Sequence, residues 1–334
     1  MSARLLKVVT LAIGASCLLT ACDPPMPPEV KAALAEQTYT CEPGDTQLFA
    51  TESIAAVAGD WQAAVESNCA GMTITPVADL TDKVELQIGG APANVYSSVP
   101  FAVDAVVIAV NLPDITNVSL SADVLEKIWA GQISAWDDPA IAKLNAGFTL
   151  PATPITFGNE LDAVAAKPLT DWLTRLAGHQ VALTGGNAKL STPTEGSLVV
   201  TAYSSAMALG VQLVGIDGVI PEVGSINSGA SMYQAKTSSG NVTLSFNPKA
   251  KPIAPEGVAV APAPYQALWV INLNLCGTDS LKTRAAARYL LRQDSQGSLG
   301  LSTVVALPEN LRIVALAEVS KGLPEPVITA VPNQ

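Results

Sequence analysis

One histidine, five cysteines, an aromatic share of 5% and a charged share of 14% are sparse equipment for a chain of 334 residues. With His179 as the lone imidazole there is no second one for a transition-metal site, and the cysteine spacings fit no zinc pattern. A Ser-His-Asp triad would have to run through His179, yet no Gly-x-Ser-x-Gly elbow is present. His179 follows Gly178 at a predicted helix end, where a cation suits the dipole, and is expected on the surface. No nucleophile–base constellation is visible, so neither an enzyme activity nor a cofactor or metal is expected. Basic residues are scarce as well: 18 Lys and Arg stand against 29 Asp and Glu, a formal charge of −11, without any basic block. That balance excludes nucleic acid and an anionic membrane surface as partners. Apolar residues make up 49% of the chain, but no run reaches the roughly 20 residues that span a bilayer. The hydrophobicity comes from small and β-branched residues and reads as a packed α/β globule.

The N-terminus has its own logic. Arg4 and Lys7 precede a mostly apolar stretch, Val8 to Leu19, which is short for a membrane span and reads as an export signal. Leu19-Thr20-Ala21-Cys22 has the form of a bacterial lipoprotein cleavage box, with Cys22 as the acylated first residue of the mature chain. More than one acyl chain gives stable anchoring. Residues 1–21 are therefore expected to be a signal peptide and 22–44 a tether, opened by the proline-rich Asp23–Pro28. The expected location is the extracytoplasmic side of the cell membrane, held by lipid. Loss of Arg4 and Lys7 leaves the mature chain two units more acidic. Export permits disulfides. Cys41 precedes the first predicted strand and Cys69 ends the helix after it, so a Cys41–Cys69 bond is expected, with Cys276 buried and free.

Downstream, strands alternate with helices. Strands are expected at 46–50, 72–77, 84–88, 101–110, 154–157, 197–202, 211–216, 241–246 and 267–273. Helices are expected at 29–37, 54–68, 162–176, 205–209, 228–238 and 279–293, with a break at Pro168. Segments 297–307 and 311–314 close the chain. Phe101–Val110 is a near-continuous apolar run, suited to a strand buried on both faces. The class is α/β.

Residues 120–145 are the best specified. Ser121 is placed as an N-cap, Leu120 and Leu125 as a hydrophobic staple, and Leu125, Ile128 and Trp129 share one face. Trp129 is therefore read as core; Trp129 and Trp136 are also candidate stacking surfaces for a ligand. Gly131 suits the C′ position, and Asp138 with Pro139 starts a second helix, which explains Asp138 better than a metal pair with Asp137.

Gly131, Ile133, Trp136, Asp138, Pro139, Ile141, Asn145, Leu150, Pro151 and then Pro154-Ile155-Thr156 resemble the phosphate-binding protein of bacterial high-affinity phosphate ABC transporters. The resemblance extends to Gly196–Leu209 and Val304–Pro308, over roughly residues 45–320. It implies a two-lobed, hinged type II periplasmic binding-protein fold, with 45–112 and 262–334 as one lobe and 113–261 as the other. It also implies a partner: an ABC permease or another integral membrane complex.

Phosphate sequestration needs helix amides, hydroxyls and an Arg in a dry cleft. The family supplies them from an Arg-Ser-Asp-Gly-Ser-Gly-Thr run after its Pro-Ile-Thr strand. Here the same place reads Glu160-Leu161-Asp162-Ala163-Val164-Ala165-Ala166, so only Asp162 matches and a carboxylate replaces the Arg. The family's early glycine-rich turn is Ala50-Thr51-Glu52-Ser53, and its other glycine-rich segments have no counterpart between 75 and 100, Gly89-Gly90 being nearest. A carboxylate facing phosphate in a low-dielectric cleft repels it by several kcal/mol.

Two readings follow. In the first, a lipid-anchored solute-binding protein has a rewritten cleft for a neutral or cationic solute, with Thr51, Ser53, Asn159, Glu160, Asp162, Tyr203 and Ser204 as candidate ligand contacts. In the second, the cleft is vestigial and the chain is an accessory lipoprotein on a membrane complex. Plainer uses compete at each position. Glu160 and Asp162 also suit the solvated start of a helix, Tyr203-Ser204-Ser205 a strand-to-helix cap, and Gly185-Gly186-Asn187 a flexible turn.

Overall fold

The computed structural model describes Leu34 and residues 38–183, 185–254 and 257–325. The expected signal segment, Cys22 and, Leu34 apart, the 29–37 helix lie outside these residues. In chain order, β1 (Gly44–Ala50), α1 (Glu52–Asn68), β2 (Met72–Val77), β3 (Leu86–Ile88) and β4 (Val95–Val110) form the first part. Then come β5 (Ser119–Leu120), α2 (Ala122–Trp129), α3 (Pro139–Leu144), β6 (Thr156–Asn159), α4 (Lys167–Ala177), β7 (Ser197–Ala202) and α5 (Tyr203–Ala208). They are followed by β8 (Gln212–Leu213), β9 (Gly215–Ile216), α6 (Val223–Ala230), β10 (Tyr233–Ser238), β11 (Asn241–Phe246) and β12 (Leu268–Cys276). The chain closes with α7 (Leu281–Leu290), α8 (Gln293–Gly297), a 3₁₀ turn at Ser298–Leu301, β13 (Val305–Ala306) and α9 (Glu309–Val319).

Local signals act as expected where they are strong. Ser121 Oγ accepts from Val124 N, Asp138 Oδ1 accepts from Ala140 N with Pro139 in the first turn, and Gly131 is left-handed. α1 buries Ile54, Val57, Trp61 and Val65, one stripe at helical spacing. Cys41 and Cys69 are bonded, with Cα atoms 5.3 Å apart, and Cys276 is buried and free.

Eleven of the described strands join one sheet, along the path β10-β11-β4-β12-β3-β1-β2, with β13, β7 and β8 also on β4 and β6 on β7. β4 links two arrays. Its first part, Val95 to Ala105, lies antiparallel to β12; its last part, Val106 to Val110, lies antiparallel to β7, with β6 parallel beyond. Because β1 and β3 are both antiparallel to β12's direction, they run with β4, whereas β6 and β7 run against it. Ile88 is level with Val99 through their shared partner Leu273, and Ala202 is opposite Val106. The carboxyl ends of β1 and β3 and those of β6 and β7 thus open from opposite sides onto the middle of β4. Crevices outside carboxyl ends of strands are where open α/β sheets bind ligands.

Three segments differ from expectation. The helix anticipated at 162–176 begins only at Lys167, with Pro168 in its first turn, where a missing N–H costs nothing. Residues 228–238 are not one helix: α6 ends at Ala230, and Tyr233–Ser238 is a strand. Ser239 (φ 47°) and Gly240 (φ 84°) form the two-residue turn whose positive φ values match strand twist, and pairing with β11 overrides local helix preference. That hairpin reaches β4 at Asn241–Ser98, in the sheet that contains β1. The strand expected at 211–216 is divided: β8 pairs with β4, and β9 pairs with β5 in a separate two-stranded sheet.

Candidate functional site

A cavity of about 640 Å³ lies at the carboxyl ends of β1 and β3 and against the β4–β12 pair. Thr51 and Ser53 line it, together with Gly89, Gly90, Ser98, Asp104, Trp269, Ile271, Asn272 and Asn274. Thr51 follows β1 as the N-cap of α1, its hydroxyl makes no capping bond, and its N–H donates to Ile88 O at 3.2 Å. Gly89 has a positive φ of 73°, and a Cβ there would sit 2.7 Å from Thr51 Cγ2, so glycine keeps this wall thin. The β4–β12 register shifts between Ile271 and Asn272, which leaves Phe101 as an extra residue on β4. Both Ile271 and Asn272 border the cavity at this bulge, a device that re-aims side chains beside sites. Ser98 Oγ donates to Asn274 Oδ1 at 2.7 Å, and Asn274 Nδ2 donates to Gln87 O, so the floor is polar and braced.

Asp104 is the charged member of this lining, 3% exposed. Its Oδ2 accepts from Ser204 Oγ at 2.6 Å, and its Oδ1 accepts from the N–H groups of Ser204 (3.1 Å) and Ala105 (2.7 Å). The sheet explains the meeting: β7 pairs with β4 from Ala202 and Val106 onward, which brings the start of α5 beside Asp104. Burial pushes the Asp104 carboxyl above the usual range, and the bonds from Ser204 Oγ, Ala105 N–H and Ser204 N–H offset this only in part. Tyr203 is buried beside it; its phenol is also pushed up, by burial first and then by the carboxylates of Asp104 and Glu222.

The sequence candidates therefore divide. Thr51 and Ser53 border the cavity, Ser204 bonds Asp104, and Tyr203 adjoins it. Asn159, Glu160 and Asp162 sit at the end of β6, where their bonds are internal. Asn159 Oδ1 accepts from Leu161 N; Asp162 Oδ1 accepts from Val164 N and Ala165 N. Glu160 accepts from Leu190 N at 2.9 Å and from Thr201 Oγ1 at 3.3 Å. Glu160 thereby pins the segment at 186–190 along β6, where Gly158 is bridged to Asn187 and a Cβ on Gly158 would overlap the Ala188 carbonyl. Trp136 is fully buried and Trp129 nearly so; both are core. His179 is on the surface, 2.8 Å from Glu126 Oε2.

Sequence reasoning missed Asp104, Trp269, Asn272 and Asn274 as cavity residues. A signal existed for three of them: Asp104 is the one charge inside Phe101–Val110, and Asn272 and Asn274 alternate with Leu273 and Leu275 at the end of the 267–273 strand and just beyond it.

Comparison with known proteins places this geometry in context. A stretch of 122 residues is 33% identical to the phosphate-binding protein PstS of Pasteurella multocida, covering 34% of this chain and 36% of that protein. A stretch of 58 residues is 36% identical to phosphate-binding protein PstS 3 of Mycobacterium leprae, covering 17% and 16%. The matched stretches thus span about a third or less of these relatives. Among solved structures, a phosphate-binding protein from Stenotrophomonas maltophilia superposes with a TM-score of 0.49 at 12% identity, over 82% of this chain and 93% of that one. The model of a PBP superfamily domain matches residues 77–255, more than half of the chain. The chain resembles PstS-like proteins, and it belongs to the PBP superfamily.

Proposed function

We propose that this is a solute-binding protein of the extracytoplasmic face, lipid-anchored through Cys22, whose cleft no longer takes phosphate but a neutral or cationic small molecule that it presents to a membrane permease. In this reading two lobes, 45–112 with 262–334 and 113–261, meet across β4 and β12. The observation that carries this reading is the cavity itself: about 640 Å³, bordered by Thr51, Ser53 and buried Asp104, without a Lys, Arg or His in its lining. Phosphate can donate its own proton to a carboxylate, but its remaining oxygens need several strong donors, and the lining has no cationic one. No described helix is long and apolar enough to cross a membrane. In this reading the anchor is the acyl group on Cys22: Cys22→Ser is expected to move the protein from the membrane pellet to the soluble fraction, and continued pelleting would refute the anchor.

Native mass spectrometry and thermal shifts against phosphate, sulfate, polyamines and amino acids test the binding role. A matching solute at a hundredfold excess over its Kd should raise Tm by roughly 5 °C, and phosphate and sulfate should leave it unchanged. Stabilisation by phosphate would overturn the reading. The internal use of Asn159, Glu160 and Asp162 favours a second one, an accessory lipoprotein on a membrane complex. No shift with any solute, together with co-purification of an integral membrane complex, would select it.

A further inference from the structure

We infer that the cavity takes an organic cation, its ammonium group held between the Asp104 carboxylate and the Trp269 indole. This rests on the solute-binding reading and narrows it to a chemical class. Asp104 and Trp269 are direct cross-strand partners in the antiparallel β4–β12 pair. Such partners carry their side chains on the same face of the sheet, and both border the cavity. A carboxylate beside a half-buried indole is the pairing that recognises ammonium: the acid supplies the counter-charge and the ring face supplies a cation–π surface.

The surroundings favour a cation over other ligands. A carboxylate has about four lone-pair sites, and three donors from Ser204 and Ala105 hold Asp104 in place. A site for a ligand N–H or N-methyl group is left over. None of the lining residues is a Lys, Arg or His, so Asp104 has no counter-ion there. The rest of the lining offers hydroxyls and amides at Thr51, Ser53 and Asn272 and apolar surface at Ile271, a mixture suited to an ammonium on a carbon skeleton. A bare metal ion fits poorly, because hard cations such as calcium seek six or more oxygen ligands, and one carboxylate lines the cavity. The formal charge of −11 also draws cations toward the protein.

Isothermal titration calorimetry with choline, putrescine and 3,3-dimethylbutan-1-ol, the uncharged carbon isostere of choline, tests this on the wild type, Asp104→Asn and Trp269→Leu. At least one of the two cations should bind, and the neutral isostere at least tenfold more weakly than choline if choline is that cation. Asp104→Asn should weaken the cation by roughly 10–100-fold, and Trp269→Leu by roughly 3–30-fold. Circular dichroism melts report whether each variant is folded; should Asp104→Asn fail to fold, Trp269→Leu decides. Binding of neither cation overturns the inference, as does equal affinity for choline and its isostere or cation affinity unchanged in both variants. A neutral solute that binds in the wider panel would then leave the solute-binding role standing, whereas silence across that panel would remove both.

Discussion

Trp136→Ala is expected to lower the unfolding free energy by about 4 kcal/mol. Trp136 is fully buried, and its Nε1 donates to the Gly196 carbonyl at 3.0 Å. That carbonyl also receives Thr156 N at the start of β6, while Gly196 N donates to Asn111 O beyond the end of β4. The indole therefore joins the turn before α3 to the starts of β6 and β7. The Trp136 backbone N–H donates to Thr153 O, and Ala135 bridges Pro154, so the neighbouring backbone is held and collapses little around a void. Gly196 adds a constraint: its φ is 83°, and a Cβ there would overlap the Pro154 carbonyl. Trp136→Phe keeps most of the apolar volume and loses the hydrogen bond, so about 1–2 kcal/mol is expected. Urea denaturation checks both, with the slope unchanged. A loss below about 2 kcal/mol for Trp136→Ala would show that the site relaxes and that the residue is no anchor. Solute affinity should be little altered in either variant, because Trp136 does not border the cavity.

Asp104→Ala is expected to cost roughly 3 kcal/mol, whereas Asp104→Asn costs much less. Alanine leaves Ser204 N, Ser204 Oγ and Ala105 N without their acceptor at a buried site. The amide keeps an oxygen for the two N–H groups and gives Ser204 Oγ a donor to accept from. The pH dependence separates the two roles of the carboxyl. Its folded pKa lies above the unfolded one, burial being the main cause. Between the two values the folded chain holds a proton that the unfolded chain has released, so unfolding sheds a proton and stability falls as pH rises. The window opens near the ordinary aspartate value, about 4, and closes at the raised folded value. Each unit of elevation is worth about 1.4 kcal/mol. The wild-type minus Asp104→Asn difference in unfolding free energy, followed from pH 3 upward, should decline through that window and then level off. A difference that rises with pH would mean that the Ser204 and Ala105 donors outweigh burial, and would reverse the assignment.

The two residues also show how unevenly the molecule can be read from its sequence. Trp136 sits in the Trp-x-Asp-Pro-x-Ile segment that carries the family resemblance, and the segment proves to be a packing device: Asp138 caps α3, Pro139 starts it, Ile141 is buried and Trp136 fills the core. These features are local, fixed by spacings of one to four residues, and so are legible. Asp104 was hidden because its meaning depends on Ser204, 100 residues away, and on Trp269 across a strand pair. The β10–β11 hairpin was missed for the same kind of reason: Tyr233–Ser238 becomes a strand by pairing with 241–246.

What the sequence determined by itself is the α/β class, the capped helices around 121–145, the Cys41–Cys69 bond and the Trp136–Ile141 segment that resembles the phosphate-binding family. Those rest on periodicity, end chemistry and residue identity at matched positions. Tertiary structure alone decided which polar residues remain available. It bound Glu160 to Leu190 N and Thr201 and satisfied Asp162 within its own turn. It set Asp104 beside Trp269 against an open cavity. A carboxylate's chemistry depends on the donors and dielectric around it, and those are assembled by strand pairing between residues far apart in the chain.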